Sequence, residues 1–133
     1  MLGSLGAGDV ESDVAIVADV RRTIKGGVRL MLDFNQSQST AAAVDRIRRL
    51  QDFDLNWVEE PVAAEDLVGH RAVRERLRPV PIQTGENWSF PHGMANAIAA
   101  GASDLAMIDI MKIGGVTGWM AAMAQAEAAA LPL

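Results

Sequence analysis

The stretch Leu55-Asn56-Trp57-Val58-Glu59-Glu60-Pro61 is an apolar run that ends abruptly in acid and is closed by proline. Such a run, bounded by turn residues and too short for a helix, reads as a buried strand. Three more runs share its form: VRLMLDFN from Val28, VPIQTGEN from Val80 and LAMIDIM from Leu105. The four runs start 27, 25 and 25 residues apart. The segments between them carry helical spacing, with Val44, Ile47 and Leu50 in one and Met94 and Ile98 in the next. Punctuation agrees. Gly26-Gly27 follows a helical stretch with Val14, Val17 and Ile24, and Gly101 follows another, as C-terminal glycine stops do. Ser89 with Pro91 marks a helix start, and the run from Thr117 to Pro132 is rich in helix formers.

Strand and helix in alternation, with strands apolar throughout, require a parallel sheet covered by helices: a doubly wound sheet or a (β/α)8 barrel. A complete barrel takes eight strands and typically about 250 residues. This chain has 133 residues and four clear strands, with the remnant of a fifth expected near Leu2 to Gly6. The fold class is therefore α/β, with about four βα units of a larger whole.

Composition narrows the function. Half of the residues are hydrophobic and the formal charge is −5, which suits a globular domain and argues against a phosphate-backbone partner. The twelve basic residues include only two lysines, Lys25 and Lys112, so a catalytic lysine is one of these. No stretch approaches the roughly 18 apolar residues of a membrane span. The absence of Cys and of a basic-then-apolar leader suits the cytoplasm, the expected location.

Each strand run ends in acid: Asp33, Glu59 with Glu60, Glu86 and Asp109. A single such acid is ordinarily a solvated loop residue or a helix cap. Four at one offset on successive parallel strands are different, because the C-terminal strand ends share one face, where α/β folds build their sites. Converging carboxylates repel one another unless a cation joins them. Oxygen donors without Cys or a suitably placed His favour Mg²⁺ over zinc or copper. Alternation of side chains along a strand would put only one of Glu59 and Glu60 in this mouth. His70 and His92 lie away from the strand ends and read as solvent-exposed. Ile113 to Gly118 (IGGVTG) lacks the full phosphate-loop pattern and reads as a tight turn between strand and helix. Trp57, Trp88 and Trp119, with no basic stripe beside them, read as packing residues.

The strings LDFNQS, WVEEP, TGENW and MIDIMKIGGVTGW, in this order and at these spacings, closely resemble the mandelate racemase branch of the enolase superfamily, from about Asp13 to the end. The resemblance implies that residues 1–133 are part of a C-terminal barrel domain, its third to sixth strands, without the capping domain and the last strands. It implies Mg²⁺ on Asp33, Glu59 and Glu86, catalytic roles for Asp109 and Lys112, and polar positions around metal and substrate at Asn35, Glu60 and Asn87. The implied reaction removes the proton α to the carboxylate of a small 2-hydroxy acid through an enediolate, in a homo-oligomeric parent. Acid-sugar dehydration with the same metal site is the alternative reaction. A catalytically silent half-barrel acting through association is the alternative of another class, and a flavodoxin-like domain, which needs one acid cluster, ranks last. Two departures stand against turnover by this chain alone. Leu2 and Ser4 occupy the positions of the family's Lys-x-Lys pair, and the histidine that Asp109 would orient is expected beyond Leu133.

Overall fold

A computed structural model describes residues 8–133. Leu2, Ser4 and the remnant near Leu2 to Gly6 lie outside the described residues. The chain alternates α1 (Val10–Ile24), β1 (Leu30–Asp33), α2 (Thr40–Leu50), a short 3-10 turn (Gln51–Phe53), β2 (Leu55–Glu59), α3 (Leu67–Arg76), β3 (Ile82–Thr84), α4 (Phe90–Ala100), β4 (Leu105–Ala106) and α5 (Gly115–Ala128). The four strands form one parallel sheet in the order β1-β2-β3-β4. Neighbours in sequence are thus neighbours in space, the arrangement of consecutive βα units in a barrel wall.

Local chemistry places the helices. Asp9, Ser39 and Asp66 cap α1, α2 and α3 by accepting from the backbone N–H groups of Ser12, Ala42 and Gly69. Gly101 closes α4 in the left-handed region, as its sequence position indicates. Two expectations need correction. Ser89 occupies the N-cap position of α4 with Pro91 in the first turn, but its side chain makes no capping bond. At the end of α1 the positive φ falls first on Lys25, whose N–H donates to Arg21 O, before Gly27 reverses the chain.

Because strand side chains alternate, the register of Leu32 with Val58 and of Val58 with Ile82 puts these residues on one face. There they pack on Val17, Val44, Ile47 and Leu50 of α1 and α2 and Val73 of α3, all within 6% of complete burial. A second apolar group joins Trp88, Met94 and Ala97 to Ala106, Ile108, Ile113, Ala122 and Ala126 beneath β4. Trp88 is buried, and Trp119 packs against the same group. The opposite face of the sheet begins with Asp33, Glu59 and Gln83 side by side.

His70 is also a correction: it is 1% exposed rather than solvated. It lies on the inner stripe of α3 with Val73 and Leu77, and an imidazole at i, i+3, i+7 spacing simply fills an apolar position. Its Nδ1 lies 3.1 Å from Asp66 O, and burial pushes its pKa below the usual value, favouring the neutral ring. His92 is exposed, as expected, and stacks on Phe90. The outer edge of β4 is not wholly open, since Ala106 N–H donates to Pro132 O at 2.8 Å. Among the described residues, no helix is long and apolar enough to cross a membrane.

Gly85 shows how tightly the strand ends are drawn together. Its φ is +134°, and a Cβ there would meet Met107 O at 2.9 Å and a Trp88 ring carbon at 3.1 Å. Gly85→Ala is expected to lose about 1–3 kcal/mol from backbone strain, with the close approach adding to it. Urea unfolding measures this, with Gly26→Ala, where nothing lies within 4 Å, as the near-neutral control.

Candidate active site

Parallel pairing continues past the strand ends. Phe34 N–H donates to Glu59 O, Gln36 N–H to Glu60 O, Glu60 N–H to Gln83 O, and Met107 N–H to Thr84 O, all between 2.8 and 3.1 Å. These bonds hold the four loops together at one edge of the sheet, so the acids they carry share one mouth.

The acids do not share one offset, however. The register sets Asp33 against Glu59 and Glu59 against Gln83. Glu86 therefore lies three residues past the position level with Glu59. Gln83 pairs in turn with Leu105, which puts Asp109 four residues past the same level. The sequence suggested four acids in register; the sheet has two at strand ends and two on the loops above. β3 and β4 end only one residue past that level, at Thr84 and Ala106, so the chain has left the sheet before it reaches either acid.

The expectation that alternation admits only one of Glu59 and Glu60 is also overturned. Both are buried, at 2% and 3% exposure. Glu60 has left the strand: its φ is +35°, so the alternating pleat ends at Glu59 and the next side chain turns back toward the same mouth. What separates the pair is hydrogen bonding. Asn87 Nδ2 donates to both oxygens of Glu60, at 3.1 and 2.8 Å. Glu59 Oε2 is buried with no hydrogen-bond partner among the described residues. Burial first, and then the charges of Asp33, Glu60 and Glu86, push the Glu59 pKa up from 4.5 to about 7. Burial raises Glu60 as well, opposed by its hydrogen bonds from Asn87 and Gln36.

The remaining expected residues stand at the end of β1 and on the loops that follow β1, β3 and β4. Asp33 Oδ1 accepts from Asn35 N–H at 2.8 Å. Asn35 (φ +48°) and Gln36 (φ +62°) both take the left-handed conformation, which asparagine tolerates well. Asn35 is exposed and stands in the backbone turn after β1. Lys112 Nζ donates to Asn87 Oδ1 at 2.8 Å and stands 3.6 Å from Glu86 Oε1. Asp109 Oδ1 accepts from the backbone N–H groups of Lys112 and Met111, at 3.1 and 2.6 Å, and these bonds hold its carboxyl below the usual range. That turn leads into Gly114 (φ +102°) and Gly115 (φ +69°), the tight passage into α5 read from IGGVTG.

Gln36 escaped the sequence reading. Its backbone N–H reaches Glu60 O and its side-chain Oε1 accepts from Ala64 N–H, so it ties the loop after β1 to the loop after β2. Its place after Asn35 in LDFNQS was the only available signal.

Asp33, Glu59 and Glu86 are all oxygen donors, and Glu59 brings a buried carboxylate oxygen that no described residue satisfies. This is the donor chemistry of a hard divalent cation such as Mg²⁺. As the side chains stand, no three His, Cys, Asp or Glu among the described residues form a closed cage. They stand close enough, nevertheless, for three neighbouring charges to act on Glu59.

Fold and site together define a segment of parallel α/β barrel wall with a carboxylate-rich mouth. Residues 3–133 match the family described as Enolase C-terminal domain-like, and the chain belongs to that family. An enolase from Bradyrhizobium, solved with magnesium and mandelic acid, is 55% identical with a TM-score of 0.93 over 96% of this chain and 35% of that one. A D-galactarolactone cycloisomerase of Agrobacterium fabrum is 37% identical over 106 residues, 80% of this chain and 28% of its own length. A racemase from Streptomyces coelicolor, also solved with magnesium, is 33% identical with a TM-score of 0.91, over 96% of this chain and 35% of that one. Dehydratases and epimerases are among its other relatives. The chain spans about a third of the length of the relatives it matches. Magnesium bound in these structures agrees with the metal expected from the donor set.

The raised Glu59 pKa fixes a sign. Between pH 4.5 and about 7 the folded chain keeps a proton that the unfolded chain has released, so this group lowers stability as pH rises through that window. The metal-free chain is expected to lose stability from pH 4.5 to about 7, and Glu59→Gln to flatten that part of the curve and be the more stable protein at neutral pH. Urea unfolding with a chelator across this range measures it.

Proposed function

We propose that this chain carries the magnesium platform of an enolase-superfamily enzyme that removes the proton α to the carboxylate of a 2-hydroxy acid, in the manner of a racemase. The observation that carries this reading is the buried Glu59 Oε2, without a partner among the described residues, beside Asp33 and Glu86. These three carboxylates would hold the ion, which when bound supplies positive charge against the negative charge that develops on the substrate carboxylate. An α-proton of a carboxylate is very weakly acidic, so its removal depends on neutralising that charge.

Lys112 brings a second cation to the same mouth, within 3.6 Å of Glu86. Asp109 remains ionised through its two backbone hydrogen bonds, which suits a residue that orients a base. The 55% identity to a protein solved with mandelic acid supports the 2-hydroxy acid. The similarity to L-galactonate dehydratase, 32% over 131 residues, favours acid-sugar dehydration as the second reading, which begins with the same proton abstraction.

Thermal unfolding with and without millimolar Mg²⁺ tests the platform. A cation bound only by the folded state raises stability by about 3 kcal/mol at a hundredfold excess over Kd. The wild-type midpoint is expected to rise with Mg²⁺, that of Glu59→Gln and Glu86→Gln to lose most of the rise, and mandelate to add a further rise only when Mg²⁺ is present. A midpoint indifferent to Mg²⁺ sinks the reading. A further rise with an acid sugar and Mg²⁺, and none with mandelate, favours the dehydration reading instead.

A further inference from the structure

Asn87 joins two side chains of opposite charge that come from different loops. Its Nδ2 faces Glu60, which follows β2, and its Oδ1 faces Lys112, which follows β4. A carboxylate only accepts hydrogen bonds and an ammonium only donates them, so the amide can satisfy both in one sense alone. Glu60 supplies the fixed end: it is 3% exposed and both its oxygens engage the same amide nitrogen. Lys112 is the end that needs fixing. Its side chain is 40% exposed on a flexible four-carbon stem, and the carboxylate paired with it, Glu86 Oε1, lies at 3.6 Å, an ion-pair distance too long for a strong hydrogen bond.

We propose that Asn87 is a positioning residue: it sets where the Lys112 ammonium stands at the mouth, and Glu60 sets the sense in which Asn87 faces it. The ammonium has three N–H donors and Asn87 takes one, leaving the cation anchored while it still presents donors to the mouth. Under the reading proposed above, on which this functional consequence rests, the chain Glu60–Asn87–Lys112 holds the cation where a substrate carboxylate gathers negative charge. A fixed cation costs no reorganisation at that moment, whereas a swinging one does. The second acid of WVEEP and the asparagine of TGENW then share one task, distinct from that of Glu59 and Glu86.

The chain provides its own reference for a test, because Lys25, exposed at the end of α1, is its only other lysine. An ammonium held against an oxygen must leave it and give up a proton before its nitrogen can attack an acylating reagent. The metal-free protein is treated briefly with an N-hydroxysuccinimide acetate at one fixed pH, and acetylation of Lys112 relative to Lys25 is read by peptide mass spectrometry. Lys112 is expected to react more slowly than Lys25 in the wild type. Asn87→Ala is expected to raise the ratio about threefold to tenfold, the worth of one hydrogen bond. Glu60→Gln, which frees the amide to turn over, is expected to raise it too, although Glu60 does not bond Lys112. Asn87→Asp keeps an oxygen toward Lys112 and is expected to leave it protected, a rescue that a purely structural role would not give. An unchanged ratio in folded Asn87→Ala overturns the proposal, as does a change confined to Asn87→Ala with Glu60→Gln unaffected. If Asn87→Ala does not fold cooperatively, Glu60→Gln and Asn87→Asp decide between the same outcomes. The measurement contains no metal, so failure of the magnesium reading would appear in the unfolding experiment and leave this ratio untouched.

Discussion

The site depends on backbone hydrogen bonds that continue across the loops after the parallel strands have ended. Parallel strands must all finish on one edge, and the bonds from Phe34 to Glu59, Glu60 to Gln83 and Met107 to Thr84 bind the departing chains together there. Without that ladder the loops would diverge with their helices, and acids some 25 residues apart in sequence would have no reason to meet. Gly85 marks the cost of the arrangement, since the backbone of the next loop passes where a Cβ would be.

Within this frame, like charges are brought together deliberately. Glu59 is buried among Asp33, Glu60 and Glu86, and its carboxyl holds its proton up to about pH 7 as a result. Such an arrangement weakens the fold near neutrality and is hard to explain as packing, because an apolar residue of the same size would fill the space with no charge to desolvate. Glu60 meets the same surroundings differently, with its oxygens tied by Asn87. Two adjacent acids thus have separate chemical situations. One is satisfied by the protein, and the other has an oxygen that no described residue meets.

Much of this was legible in the chain. The four apolar runs, the helical spacing between them and the acids that end them pointed to βα units and to Asp33, Glu59 and Glu86, and the order of the motifs indicated the family that residues 3–133 match. His70 was misread because an imidazole on a helix stripe looks polar in sequence, while its burial is decided by which face of α3 meets the sheet. Gln36 was missed because its task is to join two loops, and no local pattern records a partner 28 residues away at Ala64.

Sequence alone determined the alternation of strand and helix, the glycine stop at Gly101 and the kinds of donor available, because each of these follows from a residue and its near neighbours. The tertiary structure decided the rest. Residues β1–β4 bring into register, the reversal at Glu60 that turns two consecutive acids into one mouth, and the amide of Asn87 between Glu60 and Lys112 all depend on how separate loops meet. Such meetings are set by the sheet's hydrogen bonds and by close packing, which act between residues far apart in the chain and leave no periodic trace along it.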